Sequence, residues 1–245
     1  MELLDERGRL FGRVNVVDAL VVLLVGAVVV AGVALVAGAG PGVGASTDET
    51  SRVVTVELGS HPGRVAALVQ PGDVTFAGEN ATITDVYRSP TADGVLLVAA
   101  VRVDGQMTTD GFEVGRTPLR YGVEPRLESA EYQLTARVVN VGGEPTVETR
   151  QLTATVEANV STAVAEAVAA GDSRQVAGET VATVESVETV GRSDDRQLIR
   201  VDLSLLARPT AEGLRYGGQP IRVGTRVTFE TTRYRFRGRV VAIES

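Results

Sequence analysis

GFEVGRTPLRYGVEPRLESAEYQLTARVV, residues 111–139, returns without a gap as GLRYGGQPIRVGTRVTFETTRYRFRGRVV, residues 213–241. Ten of the 29 positions are identical. They include Pro118 and Pro220, Arg120 and Arg222, Gly122 and Gly224, Tyr132 and Tyr234, and Arg137 and Arg239. Upstream the match continues with small shifts. Val56-Glu57 meets Val156-Glu157, Gly72-Asp73 meets Gly171-Asp172, and Ala77-Gly78-Glu79 meets Ala177-Gly178-Glu179. The chain therefore carries a duplication, with copies over 52–141 and 152–245. Two copies are too few for a solenoid. They form either tandem domains or two halves of one closed sheet.

Each copy reads mostly as β. Val53–Leu58, Ala81–Tyr87, Val95–Val103 and Tyr132–Val139 are strand-like runs, punctuated by Gly-Asp, Pro-Gly and Asp-Gly pairs. In the last run Tyr132, Leu134, Ala136 and Val138 share one face, and Gln133, Thr135 and Arg137 the other. One short helix per copy is expected just before the Gly-Asp turn, at Arg64–Val69 and Ser161–Ala170. The body is thus expected to be two tandem homologous β barrel or sandwich units, each with one short helix.

A second feature lies before the body. From Ala19 to Ala37 the chain is apolar for 19 residues without a charge. As a helix this would span roughly 28 Å, close to a hydrocarbon core. The expected fold class is therefore mainly β with one N-terminal transmembrane helix over 19–37. Arg7, Arg9 and Arg13 precede the run, and no basic residue follows until Arg52. That bias places the N-terminal stretch 1–18 in the cytoplasm and the body outside, on a single-pass anchor whose first partner is the lipid bilayer. The rival reading is a cleaved signal peptide ending near Ala37-Gly38-Ala39, although the apolar run exceeds the usual length of such segments. Residues 38–51, rich in Gly, Ser and Thr, read as a flexible tether of the order of 20 Å end to end.

Composition narrows the options. There is no Cys, which excludes disulfides and thiolate metal sites. All 24 basic residues are Arg, and the net charge is −7. Such an acidic, Lys-free, Ala/Val/Gly-rich chain fits a halophilic archaeon. Molar salt would shrink the Debye length to about 3 Å, so a charged ligand would need direct contacts. Net charge and location both disfavour nucleic acid.

The stretch Asp5–Asp18, DERGRLFGRVNVVD, resembles the opening of domain-of-unknown-function family 4330. The specific part is Gly8-Arg9-Leu10-Phe11-Gly12 with Asn15, and the likeness extends through the Gly-Asp turns and Pro118–Gly122 to nearly the full chain. The resemblance implies a single-span membrane protein with a mainly β body. It implies no reaction and supplies no functional residues. Physically, Asn15 could cap a following helix, and Asp18 suits its positive end. The stretch is then a capped anchor with snorkelling arginines, or a docking motif built from Arg7, Gly8, Arg9, Phe11, Asn15 and Asp18.

Catalytic signals are weak. His61 is the single histidine and cannot build a metal site alone. Ser60 beside it lacks a Gly-x-Ser-x-Gly elbow. Ser173 after Gly171-Asp172 has no counterpart in the other copy, where Val74 follows Gly72-Asp73, so the Gly-Asp pair reads as a turn. Asp194-Asp195 lies in a polar loop between Arg192 and Arg196. No catalytic, cofactor-binding or metal-ligating residues are assigned, and no enzyme or cofactor is expected. Asn80-Ala81-Thr82 and Asn159-Val160-Ser161 are glycosylation sequons, in keeping with an outside location.

One pattern exceeds what the fold needs. Arg233, Arg235, Arg237 and Arg239 alternate along the last strand, where the first copy has Glu131, Gln133, Thr135 and Arg137. At period two they share a face. They serve cross-strand pairing with acids such as Glu230, Asp202 or Glu188, or they form an anion-binding strip. Two functions follow. One is a non-catalytic, membrane-anchored extracytoplasmic module for envelope assembly or scaffolding, binding an envelope protein or a second copy as a homo-oligomer. The other is an accessory subunit of a membrane export or transport complex, docked through its N-terminal stretch.

Overall fold

The computed structural model describes residues 9–10, 14–15 and 49–244. The chain divides into two units, Met1–Ser46 and Thr47–Ser245. In the first, β1 (Arg9–Leu10) and β2 (Val14–Asn15) form an antiparallel ladder, with Arg9 opposite Asn15 and Leu10 opposite Val14. Asn15 is the last residue of β2, and the helix it was expected to cap lies outside the described residues. Arg7, Gly8, Phe11, Asp18 and the apolar run 19–37 lie outside the described residues.

The expected fold class needs correction. Among the described residues no helix is long and apolar enough to cross a membrane. The two helices described have six residues each. Among the described residues the fold is mainly β, with two large sheets and two short helices, and none of these elements is the expected transmembrane helix. Each copy builds its own sheet, but both belong to one compact unit, Thr47–Ser245.

The first copy runs β3 (Glu49–His61), α1 (Gly63–Leu68), β4 (Gly72–Phe76), β5 (Glu79–Pro90), β6 (Val95–Thr108), β7 (Gly111–Val114), β8 (Thr117–Pro118), β9 (Arg126–Glu128), β10 (Gln133–Thr135) and β11 (Arg137–Val141). Its sheet order is β10-β9-β4-β5-β6-β3-β11, all neighbours antiparallel. The run expected as one strand, Tyr132–Val139, breaks at Ala136. Its first part pairs β9 and its second part pairs β3. The ladder between β4 and β9, Thr75 opposite Glu128 and Phe76 opposite Leu127, then closes the ring into a barrel.

The second copy runs β12 (Arg150–Ser161), α2 (Thr162–Ala167), β13 (Ser173–Val176), β14 (Glu179–Arg192), β15 (Arg196–Thr210), β16 (Gly213–Tyr216), β17 (Gln219–Pro220), β18 (Arg226–Glu230) and β19 (Arg235–Glu244). Its order is β13-β14-β15-β12-β19-β18. Here β19 is unbroken, and no ladder among the described residues joins β18 to β13. The second barrel is open at the seam that the first one closes.

Alternation explains the interiors. Val54, Val56 and Leu58 of β3 and Leu152, Ala154, Val156 and Ala158 of β12 point inward and are buried. Burying such aliphatic side chains stabilises by about 1.5–3 kcal/mol each for the larger ones. β6 departs from one-sided burial, because Val98 and Ala100 on its outer face are also buried. They join Tyr87 and Val147 in a second apolar cluster, against which Val53 and Leu206 pack. Tyr87 Oη donates to the Leu206 carbonyl at 3.0 Å, so this cluster ties the first sheet to the second. The turn residue Gly217 also donates its N–H to Ser89 Oγ at 2.6 Å.

Candidate functional site

β19 presents Arg235, Arg237 and Arg239 outward, while Phe236, Gly238 and Val240 are buried. Of the expected strip, Arg233 is diverted. It lies before β19, ion-pairs with the Asp172 carboxylate and stacks over the Tyr234 ring at 5.8 Å. Tyr234 Oη donates to Asp172 Oδ2 at 2.6 Å, and the Ala169 N–H donates to the same oxygen at 2.9 Å. Burial works to raise the Asp172 pKa, but these donors outweigh it and hold the carboxyl below its ordinary value. The Gly-Asp turn is thus a structural knot that pins the last strand.

The remaining three arginines have different surroundings. Arg235 reaches Glu230 at 4.0 Å. Arg237 Nε donates to Thr228 Oγ1 at 3.3 Å. Arg239 sits opposite Glu157 on β12 and opposite Arg226 on β18. Of the acids anticipated as partners, Glu230 serves. Asp202 accepts instead from Ser186 Oγ and Thr155 Oγ1, each at 2.7 Å. Glu188 lies across from Arg200.

Two residues that sequence reasoning missed complete this region. Arg226 brings a further guanidinium to the outer face of β18, with no ion-pair partner among the described residues. Arg174 on β13 fills the open seam. Its Nη1 donates to the Thr228 carbonyl at 2.6 Å, and its Nη2 lies 3.9 Å from Glu230. Burial holds the Arg174 guanidinium below its usual pKa. Beside it, burial pushes the Tyr216 phenol well above its ordinary value, and its hydroxyl has no hydrogen-bond partner among the described residues. Arg174, Tyr216, Arg226, Thr228 and Arg237 line one cavity of about 290 Å³, roofed by the Pro90–Ala92 turn of the first copy. The signal was available in the alignment of the copies, where Val114 faces Tyr216 and Glu124 faces Arg226.

A second recess, about 460 Å³, lies between the outer face of β3 and β11 and the β15–β16 hairpin. Tyr87, Tyr121, Arg137, Arg208 and Arg215 line it, with Glu57 bonded to Arg137 at 3.2 Å. At its rim Tyr121 is 79% exposed. The equivalent residue of the second copy, Val223, is 68% exposed. The two turns match. The Gly122 and Gly224 N–H groups donate to Val138 and Val240, each at 2.8 Å. The same position of the repeat therefore offers a large apolar side chain to solvent in both copies.

Two of the weak catalytic candidates, His61 and Ser60, make structural hydrogen bonds. His61 Nε2 bonds the Leu58 carbonyl at 2.7 Å, and Ser60 Oγ meets Thr91 Oγ1 at 2.9 Å. Asp194 and Asp195 belong to the β14–β15 connection, and Arg196, the first residue of β15, donates through Nε to Asn159 Oδ1 of the second sequon at 2.9 Å. Among the described residues no three acidic or histidine side chains cluster as metal ligands.

A family profile described as "Domain of unknown function (DUF4330)" matches residues 1–142. The match covers the N-terminal stretch and the first copy, which is less than the nearly full-length likeness expected. No curated protein and no solved structure matches the chain.

Proposed function

We propose a function on one premise: the chain belongs to the DUF4330 family, whose description carries no activity. The function is a non-catalytic assembly module of the cell envelope that binds an envelope protein or a second copy of itself. The observation that carries this reading is the pair of equivalent apolar knobs, Tyr121 and Val223, held on matching turns of the two copies. Their equivalence in the two copies, on turns of matching hydrogen bonding, supports a repeated contact point. His61 and Ser60, weighed as catalytic candidates, are engaged in structural hydrogen bonds, which supports a binding role.

The proposed place of work is the outer side of the cell membrane. The charge-free stretch Ala19–Ala37 and the three preceding arginines support it. A second reading, an accessory subunit of an export or transport complex, is favoured by the β1–β2 ladder, which sets Arg9 and Asn15 of the N-terminal motif in register.

Cross-linking in native membranes, followed by purification of the tagged full chain and mass spectrometry, separates the two. Adducts to an envelope protein or to a second copy, through residues of the β body, support assembly. A stoichiometric multi-span protein linked through residues 5–18 supports the accessory role.

A further inference from the structure

The duplication acts as an internal control on what the fold requires. Counted from the shared Ala-Gly hairpin, Val74 of the first copy corresponds to Arg174 of the second. In the gapless stretch, Val114 corresponds to Tyr216, Glu124 to Arg226 and Thr135 to Arg237. The first copy closes its barrel with none of these four residues. There the Ala77 N–H donates to the Arg126 carbonyl at 3.0 Å, and the ladder between β4 and β9 follows. In the second copy the equivalent carbonyl, Thr228, accepts from the Arg174 side chain instead. All four changes converge on one cavity.

The cavity is costly as it stands. Taking a guanidinium out of water without full pairing is unfavourable. The Arg174 side chain is 12% exposed, and its nearest carboxylate is the half-exposed Glu230 at 3.9 Å, shared with Arg235. The Tyr216 hydroxyl is buried with no acceptor and no donor. Arg226 faces Arg239 directly across the ladder, a like-charge pairing that weakens a sheet. Three guanidinium groups and an unpartnered phenol surround a small space, with no carboxylate in its lining; Thr228 alone accepts from two of the three, through its carbonyl from Arg174 and its Oγ1 from Arg237. Arg174 and Tyr216 are the buried members and Arg226 and Arg237 the exposed ones; a bound anion would complete the pairing of Arg174, give the Tyr216 hydroxyl its missing acceptor and offset the repulsion between the guanidinium groups.

We propose that the seam between β13 and β18 is a binding site for a single oxyanion group, a carboxylate, sulfate or phosphate. Arg174, Arg226 and Arg237 supply the charge, and Tyr216 donates a neutral hydrogen bond from the floor. The space of about 290 Å³ admits one such group with its immediate substituents. The source is either a free small anion or an acidic polymer carrying the group. Because the Pro90–Ala92 turn of the first copy roofs the cavity, occupation ties the two copies together. This site stands independently of the assembly role proposed above.

The test is isothermal titration calorimetry on the purified full chain at fixed ionic strength. The probes are sodium sulfate, sodium phosphate, monomeric galacturonate and polygalacturonate, with Tyr216→Phe and Arg226→Gln as variants. The site predicts saturable binding of at least one probe and a loss of about tenfold in affinity for each variant. Equal affinity for monomer and polymer, per bound group, identifies a free anion. Polymer binding tenfold or more above the monomer identifies a polymer-borne group. Tyr216→Phe removes one oxygen and keeps the ring, so it separates loss of binding from loss of fold. Absence of saturable binding for all four probes, or affinities unchanged in both variants, overturns the proposal.

Discussion

Arg174 donates through Nη1 to the backbone carbonyl of Thr228 at 2.6 Å, in the place where the first copy joins its edges through the backbone. A side chain has replaced a ladder. β4 is held on both sides, by β5 and β9, whereas β13 has a ladder only to β14 among the described residues. Hydrogen exchange resolved by residue should therefore show faster exchange for amides of 173–176 than for those of 72–76. Equal protection of the two strands would contradict an open second barrel.

Gly238 decides why β19 stays whole. A Cβ there would come within 2.3 Å of Val156 Cγ1 and 2.7 Å of the Glu157 carbonyl. The first copy has Ala136 at this position, and its strand breaks there. Gly238→Ala should destabilise by about 1–3 kcal/mol, the range for overpacking. Urea unfolding of the full chain measures it, and an unchanged midpoint would remove the argument.

Both copies turn from β4 to β5, and from β13 to β14, through an Ala-Gly pair. Ala77 has φ +54° and Ala177 has φ +50°, a region that disfavours side chains. Two consecutive positive φ values make the hairpin turn type in which Asn-Gly is preferred. Ala177→Asn should raise stability by about 1 kcal/mol, read as a melting point a few degrees higher. A lower melting point would refute the strain.

Asp202 accepts from Ser186 and Thr155, and these bonds, with Arg200 behind them, hold its carboxyl below its ordinary value against the opposing effect of burial. A carboxyl lowered by folding contributes stability that is complete above its unfolded value of about 3.9 and is lost as pH falls through the folded value. Asp202→Asn should thus be less stable than the parent at pH 7, with the difference closing on acidification below about pH 4. Thermal melts across this pH range test the sign. A gap that widens in acid would reverse it.

Much of the β body was legible because its signals are local. Strand runs follow period two, and the two short helices fall where the Ala-rich stretches precede the Gly-Asp turns. The seam was not legible. Ring closure joins residues distant in sequence, and Arg174 reads in isolation as one more exposed arginine. Tyr132–Val139 looked like one strand because Ala136 keeps the alternation even where pairing changes partner. The tie between the copies did leave a trace. Val95–Val101 is apolar on both faces, which a lone barrel with one wet face does not require. Of the arginine strip, the shared face was readable from spacing, but the diversion of Arg233 to Asp172 depends on a turn from elsewhere in the chain.

The central claim is that the duplicated body docks a partner through equivalent turns. A photo-cross-linking residue placed at Tyr121, and separately at Val223, in the full chain in living cells tests it most directly. The account predicts that both positions yield adducts to the same envelope protein, or to a second copy of the chain, and that Tyr121→Ser with Val223→Ser abolishes that complex while leaving the melting point unchanged. Adducts from neither position, together with a complex that survives the double substitution, would contradict it.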